Sequence, residues 1–175
     1  LDLGTGDGRY AQQLAERQPR TFAIGLDACR ENLRERSRLK LPNLLFVISD
    51  AQSLPFELRG LVSHIAINFP WGSLLEGLLT GNALLMDGLA GLASDRASLE
   101  VRLNAAALQE AGVTLDAGIE RISGSLSRLG WRVKAPRHMD TQLLQSFPST
   151  WARRLAHGRD PRAVLIKAWL SMKCA

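Results

Sequence analysis

Leu1-Asp2-Leu3-Gly4-Thr5-Gly6-Asp7-Gly8-Arg9 is the stretch that decides the fold of this chain. Leu1 to Leu3 read as the end of a strand. Tyr10 to Arg17 carry helical periodicity, and Pro19 closes that helix. Between them the glycines let the backbone turn sharply and come close to a ligand. A second strand, Phe22 to Leu26, ends at Asp27. An acidic side chain about 20 residues beyond such glycines can accept hydrogen bonds from ribose hydroxyls. A dinucleotide site normally reads GxGxxG, so that a pyrophosphate meets the helix N-terminus. This chain reads GxGxG, with Asp2 before it and Asp7 inside it. Those carboxylates repel a pyrophosphate and suit a cationic ligand. An ordinary glycine turn is the remaining alternative, but it leaves Asp2, Asp7 and Asp27 unexplained.

Outward from the turn, strand and helix alternate. Arg30 to Lys40 read as a charged helix, Leu44 to Ile48 as a third strand, and Ile65 to Asn68 as the end of a fourth. A long apolar helix covers Leu74 to about Ala93, with Gly81 and Asn82 interrupting it. A fifth strand at Leu99 to Leu103 and a helix at Ile119 to Leu129 follow. Trp131 to Lys134 then read as a strand, Thr141 to Ala156 as a helix, and Val164 to Leu170 as the last strand. The pattern predicts an α/β fold with a mainly parallel, seven-stranded sheet and helices on both faces. Its first strand is expected to be truncated. Ligands of such sheets bind beyond the carboxyl ends of the strands.

The 175 residues fit one domain, and a composition 46% hydrophobic and 22% charged excludes a disordered chain. No apolar run approaches the roughly 20 residues of a membrane-spanning helix, so no membrane partner is expected. Cys29 and Cys174 stand apart with no CxxC neighbour, which points to reduced thiols, a cytoplasmic location and no metal site. The net charge of +5 and pI of about 9.9 suggest a polyanionic partner. Two basic clusters sharpen that: Arg30, Arg34, Arg36, Arg38 and Lys40, then Arg153, Arg154, Arg159 and Arg162.

The glycine turn with its carboxylates resembles motif I of the class I methyltransferases, whose cofactor is S-adenosyl-L-methionine. In that fold the turn after the third strand, here Asp50-Ala51-Gln52, meets the cofactor adenine. Asn68-Phe69-Pro70-Trp71-Gly72-Ser73 follows the fourth strand, where the acceptor is presented. It is partly similar to the Asn-Pro-Pro-Tyr motif of amino-group methylases. A carbonyl before proline can accept from a base amine, and an aromatic ring can stack on a flipped base.

Four segments together resemble the aminoglycoside-resistance 16S rRNA (adenine-1408-N1)-methyltransferases of the kanamycin–apramycin type. They are Leu1 to Arg9, Ser53 to Leu58, Phe69 to Glu76, and Ser149-Thr150-Trp151-Ala152-Arg153-Arg154-Leu155-Ala156-His157-Gly158-Arg159. The first segment marks only the superfamily, while the last two together are specific. The resemblance implies that a flipped adenine of the decoding A site, within the 30S subunit, is sandwiched between Trp71 and Trp151. Pro70 would then face its amine. It also implies cofactor contacts at Asp2, Gly4, Thr5, Gly6, Asp27, Ala28, Asp50, Ala51, Gln52, Asn68 and Ser73. RNA contacts are implied at Ser149, Arg153, Arg154, Arg159, Arg36, Arg38 and Lys40. One domain over 1–175, acting as a monomer, would carry target-recognition inserts near 69–80 and 104–118 and an RNA-binding helix near 141–159.

This chain departs from the pattern in three places. The family's N-terminal hairpin is expected to be missing, the link between Lys40 and Pro42 is short, and Gln52 stands where Glu is typical. His64, His138 and His157 are scattered and read as non-catalytic. A methyltransferase of another RNA site such as a tRNA guanine, one acting on a small molecule, and a non-catalytic RNA-binding protein on the same fold are the alternatives.

Overall fold

The computed structural model describes residues 1–158 and 160–170. Its elements run β1 (Asp2–Leu3), α1 (Arg9–Arg17), β2 (Ala23–Asp27), α2 (Arg30–Leu33), β3 (Leu44–Ile48), β4 (Val62–Asn68), α3 (Gly72–Thr80), α4 (Ala83–Leu92) and β5 (Ala93–Asn104). There follow α5 (Ala105–Glu110), α6 (Leu115–Arg128), β6 (Trp131–Val133), β7 (Arg137–Met139), α7 (Thr141–Ser146), α8 (Thr150–Ala156) and β8 (Ala163–Leu170). The sheet order is β3-β2-β1-β4-β5-β8-β6. Pairing is parallel from β3 through β5, and β8 is antiparallel to its neighbours. The seven expected strands are present, and β7 adds a short eighth that pairs with the start of β8.

The chain winds outward through β2 and β3 on one side of β1, and through β4 and β5 on the other. The order therefore reverses between β1 and β4, which opens a crevice at their carboxyl ends. Leu3, Ile65, Ile67, Leu99 and Val101 of the central strands are buried with Leu78, Leu89 and Ile122 from the helices. A second, smaller apolar cluster joins Phe69, Met139, Leu144, Ala152, Leu155 and Ala163. It seats α7 and α8 beside the crevice.

Three helical expectations change in detail. The apolar run is divided where Gly81 and Asn82 stand. Gly81 takes a left-handed conformation at φ 66°, and the Asn82 side chain accepts from the Leu85 amide at 3.1 Å. The charged stretch from Arg30 to Lys40 is not one helix. It is α2 followed by a single 3-10 turn at Arg36–Arg38, and Leu33 is its one buried α2 side chain. With only Leu33 buried and five basic side chains along it, that stretch has little to hold a longer helix. The stretch from Thr141 to Ala156 is broken at Phe147-Pro148-Ser149. Proline favours an extended residue before it, and Phe147 stands at φ −70°, ψ 133°. This break matters for function because it re-aims α8 toward the crevice.

Candidate active site

A cavity of about 550 Å³ lies at the carboxyl ends of β1 to β4. The glycine turn forms one wall. Gly4 stands at φ 70°, and an added Cβ there would lie 2.6 Å from the Leu74 side chain, so only glycine fits. Gly6, at φ 56°, faces open space instead. The Gly6 amide donates to Asp27 at 2.8 Å, and the other Asp27 oxygen accepts from the Cys29 amide at 2.9 Å and from Asn32 at 3.2 Å. Asp27 is thus fixed in orientation at the end of β2 before any ligand arrives.

Asp2 sits deeper, 2% exposed. It accepts from the Thr5 hydroxyl and, at 2.9 Å, from the Asn68 amide nitrogen. Asn68 in turn accepts from Arg102 at 2.9 Å, and Arg102 pairs with Glu100 at 2.5 Å. Burial pushes the Asp2 carboxyl up to about 6, against the lowering pull of Thr5, Asn68 and Arg102. A cation reaching this carboxylate would restore its charge.

Most of the residues expected at the cofactor gather around one space. Asp2, Gly4, Thr5, Gly6, Asp27, Ala28, Asp50, Ala51, Asn68 and Ser73 all line the cavity. Gln52 is exposed and does not; its amide donates to Asp50 at 2.7 Å, which shapes the turn. Among the described residues, four carboxylates, of Asp2, Asp7, Asp27 and Asp50, line the cavity against one arginine, Arg154. That donor set fits a ligand with a cationic end and hydroxyls, and it is hostile to a pyrophosphate.

The mouth of the cavity is aromatic. Phe69 is held at φ 53°, a left-handed conformation rare for a bulky residue. Its amide donates to the Arg102 carbonyl at 2.8 Å, and its buried ring meets Phe147 edge-on at 5.7 Å. This bend carries Pro70 and Trp71 over the cavity. Trp151, brought in by α8, lies against Trp71 with ring centroids 5.3 Å apart and planes 30° from parallel. Trp71 is half-buried, with its indole nitrogen lacking a hydrogen-bond partner, while Trp151 is 44% exposed. Arg154 stacks on Trp151 at 5.4 Å.

Of the expected RNA contacts, Ser149 and Arg154 line the main cavity. Arg153 and Arg36 line a neighbouring groove together with Arg9. Arg36 also donates to Gln12, which pins the 3-10 turn to α1. Arg38 and Lys40 are exposed on that turn and just after it. Arg159 and Cys174 lie outside the described residues. Residues of 104–118 line a separate cavity, with Ala105, Gln109, Val113 and Leu115 among them. His64 is away from the site and bonds Ser98 through Nδ1 at 2.8 Å.

Sequence reasoning missed Tyr10, Cys29, Asn32 and Thr150, which also line the cavity, and it missed Arg102 beneath it. Arg102 left a trace: Glu100 and Arg102 alternate with Leu99, Val101 and Leu103 in the buried second half of β5. Two opposite charges two residues apart on one face of a buried strand signal an internal ion pair.

A doubly wound sheet with this strand order, a glycine-rich turn after its first strand, and an acid-lined crevice define a class I methyltransferase. S-Adenosyl-L-methionine is the cofactor of that class, and the donor set described above fits it. Comparison with known proteins identifies the branch. The NpmA family model, described as 16S rRNA (adenine(1408)-N(1))-methyltransferase, matches residues 1–170, and the chain belongs to this family. A 16S rRNA (adenine(1408)-N(1))-methyltransferase of Escherichia coli is 36% identical over 177 residues, covering 91% of this chain and 81% of that protein. One from Streptoalloteichus tenebrarius is 32% identical, covering 94% and 83%. The crystal structure of 16S rRNA methyltransferase KamB aligns with a TM-score of 0.84 at 29% identity, covering 97% of this chain and 86% of that one. A W203A mutant of the Catenulisporales acidiphilia enzyme, solved with S-adenosylmethionine, aligns with a TM-score of 0.82 at 27% identity, covering 99% and 86%.

Proposed function

We propose that this protein methylates N1 of adenine 1408 in 16S rRNA, acting in the cytoplasm as a monomer on the 30S subunit. The observation that carries the reading is the Trp71–Trp151 pair at the mouth of the acid-lined cavity. Two indoles from segments far apart in sequence meet where a methyl group would emerge. A flat base is the natural occupant of such a clamp.

The bound cofactor supplies an electrophilic sulfonium methyl. Transfer of that methyl would break its bond to sulfur and leave a neutral thioether; adenine N1 carries a lone pair and needs no deprotonation, so these residues need supply no general base, and rate enhancement rests on proximity and orientation. Asp27 and Asp2 would hold the cofactor's hydroxyls and cationic end. Trp71 and Trp151 hold the base between their faces, and the backbone at Pro70 receives its amine. The methylated adenine is cationic, and the indole faces favour that charge through cation–π attraction.

The charge distribution supports an RNA partner. Arg9, Arg36 and Arg153 line a groove that continues into one lined by Arg154 and His157 beside Trp151. Guanidinium groups on such a path suit phosphates. The chain acts as one domain, with 69–80 and 141–159 recognising the target at the clamp and 104–118 as a further contact region. Arg38 and Lys40, both exposed, extend the RNA-binding surface.

The test is to incubate 30S subunits with the protein and S-adenosylmethionine and to map the modified nucleotide by mass spectrometry. N1-methyladenine at 1408 is the expected result, together with kanamycin resistance in bacteria that express the protein. A methyl group at another site, or methylation of free small molecules without RNA, would overturn the reading.

A further inference from the structure

The cofactor turn and the target clamp are joined by a hydrogen bond that spans 143 positions of sequence. The Thr150 hydroxyl donates to Asp7 Oδ2 at 2.7 Å. Asp7 belongs to the glycine turn, and its composition suggests a cofactor contact. Its oxygens are engaged elsewhere: Oδ2 also receives Arg9 Nε at 2.9 Å, and Oδ1 receives the Arg9 amide at 3.3 Å. Thr150 is the first residue of α8 and directly precedes Trp151. We propose that Asp7 and Thr150 are a positioning pair that sets the register of the Trp151 clamp on the cofactor turn. This inference rests on the base-clamp reading above.

The need for such a pair follows from how α8 is held. It is only seven residues long, and Ser149 at its N-cap makes no side-chain capping bond. Two of its side chains, Ala152 and Leu155, are buried, in the smaller of the two apolar clusters. Apolar packing is non-directional and tolerates sliding, whereas a hydrogen bond to a fixed carboxylate does not. The clamp must also open. The indole centroids are 5.3 Å apart, whereas a base stacked on both faces needs two spacings of roughly 3.4 Å. Trp151 therefore swings away from Trp71 by more than 1 Å as the base enters. A tether one residue before Trp151 lets the indole swing while its backbone stays aligned with the turn that holds the cofactor. Misalignment on the ångström scale is costly in a reaction that depends on orientation alone.

Thr150→Val removes the donor and keeps the shape. Steady-state methylation of 30S subunits should show kcat falling roughly tenfold. KM for 30S and the calorimetric affinity for S-adenosylmethionine should stay within about twofold. Thr150→Ser should recover most of the rate. Combined with Asp7→Ala, Thr150→Val should add no further loss, since both changes break one bond. Hydrogen exchange followed by mass spectrometry gives a readout independent of catalysis: amides of α8 should exchange faster in Thr150→Val than in wild type or Thr150→Ser. The pair is refuted by normal exchange in Thr150→Val, by a Ser variant as slow as the Val variant, or by losses that multiply in the double variant. If wild-type protein forms no N1-methyladenine at the A site, the functional reading fails, while the exchange comparison still judges the tether.

Discussion

The two halves of the site are held by different means. On the cofactor side, Asp2, the glycine turn and Asp27 lie within 27 residues, and their carboxylates are locked by backbone amides and by a buried chain from Asp2 through Asn68 to Arg102. On the target side, Trp71 and Trp151 are brought together across the fold. One rides on the strained bend at Phe69, the other on a short helix over a six-residue apolar cluster. The cofactor side is preorganised by directional hydrogen bonds. The target side is held mainly by apolar and aromatic packing. A rigid half suits a small ligand of fixed shape, and an adjustable half suits a base that must be flipped out of a large RNA.

Substitutions at the clamp give the sharpest division between the halves. Trp71→Ala and Trp151→Ala should each lower methylation of 30S subunits by up to about a hundredfold, the scale of a lost stacking platform. Melting temperature and cofactor affinity should remain near wild type. Phe at either position should retain more activity than Ala, because stacking needs a flat ring. Cofactor binding that fell in parallel with methylation would erase the division.

The converse comes from Asp27→Ala. Loss of a carboxylate that orients the turn and accepts from the cofactor should weaken S-adenosylmethionine binding by about 2 kcal/mol, roughly thirtyfold, in calorimetry. Binding of the variant to 30S subunits should change little. An unaltered cofactor affinity would remove Asp27 from the site.

Arg154→Glu should act on the target half alone and more weakly, cutting 30S binding roughly tenfold at moderate salt and flattening its salt dependence. Cofactor affinity should be unaffected. A wild-type salt slope near zero would contradict a phosphate-gripping role for Arg154.

The smallest effect is a titration. Asp2 has its carboxyl raised to about 6 by burial, so its folded form is neutral below that pH and charged above it. Its contribution to stability is therefore greatest below the ordinary carboxylate value of 3.8 and is lost as pH rises through about 6. Affinity for a cationic cofactor has the opposite sign, because only the ionised form attracts it. Calorimetry between pH 7.5 and 5.5 should show S-adenosylmethionine affinity falling about fourfold, as expected for a group titrating near 6. Asp2→Asn should flatten that profile and gain thermal stability at neutral pH. A wild-type profile without slope would place the cofactor's cationic end elsewhere.

Alternation of apolar and helical periods was enough to read the parallel sheet, and the spacing of Asp2, Gly4, Gly6 and Asp27 was enough to read the cofactor crevice. These are consequences of local geometry: a strand, a turn and a helix in succession place their own residues, whatever the rest of the chain does. The break at Pro148 is equally local in cause, yet its result, an α8 turned toward the crevice, depends on the Phe69–Leu144–Leu155 cluster beneath it. The same holds for Arg102 under Asn68, for Asp7 bonded to Thr150 at the cavity wall, and for the 5.3 Å contact of Trp71 with Trp151. Each joins residues separated by more than 30 positions. No period in the sequence encodes such a distance; it is set by which apolar faces the folded chain buries together.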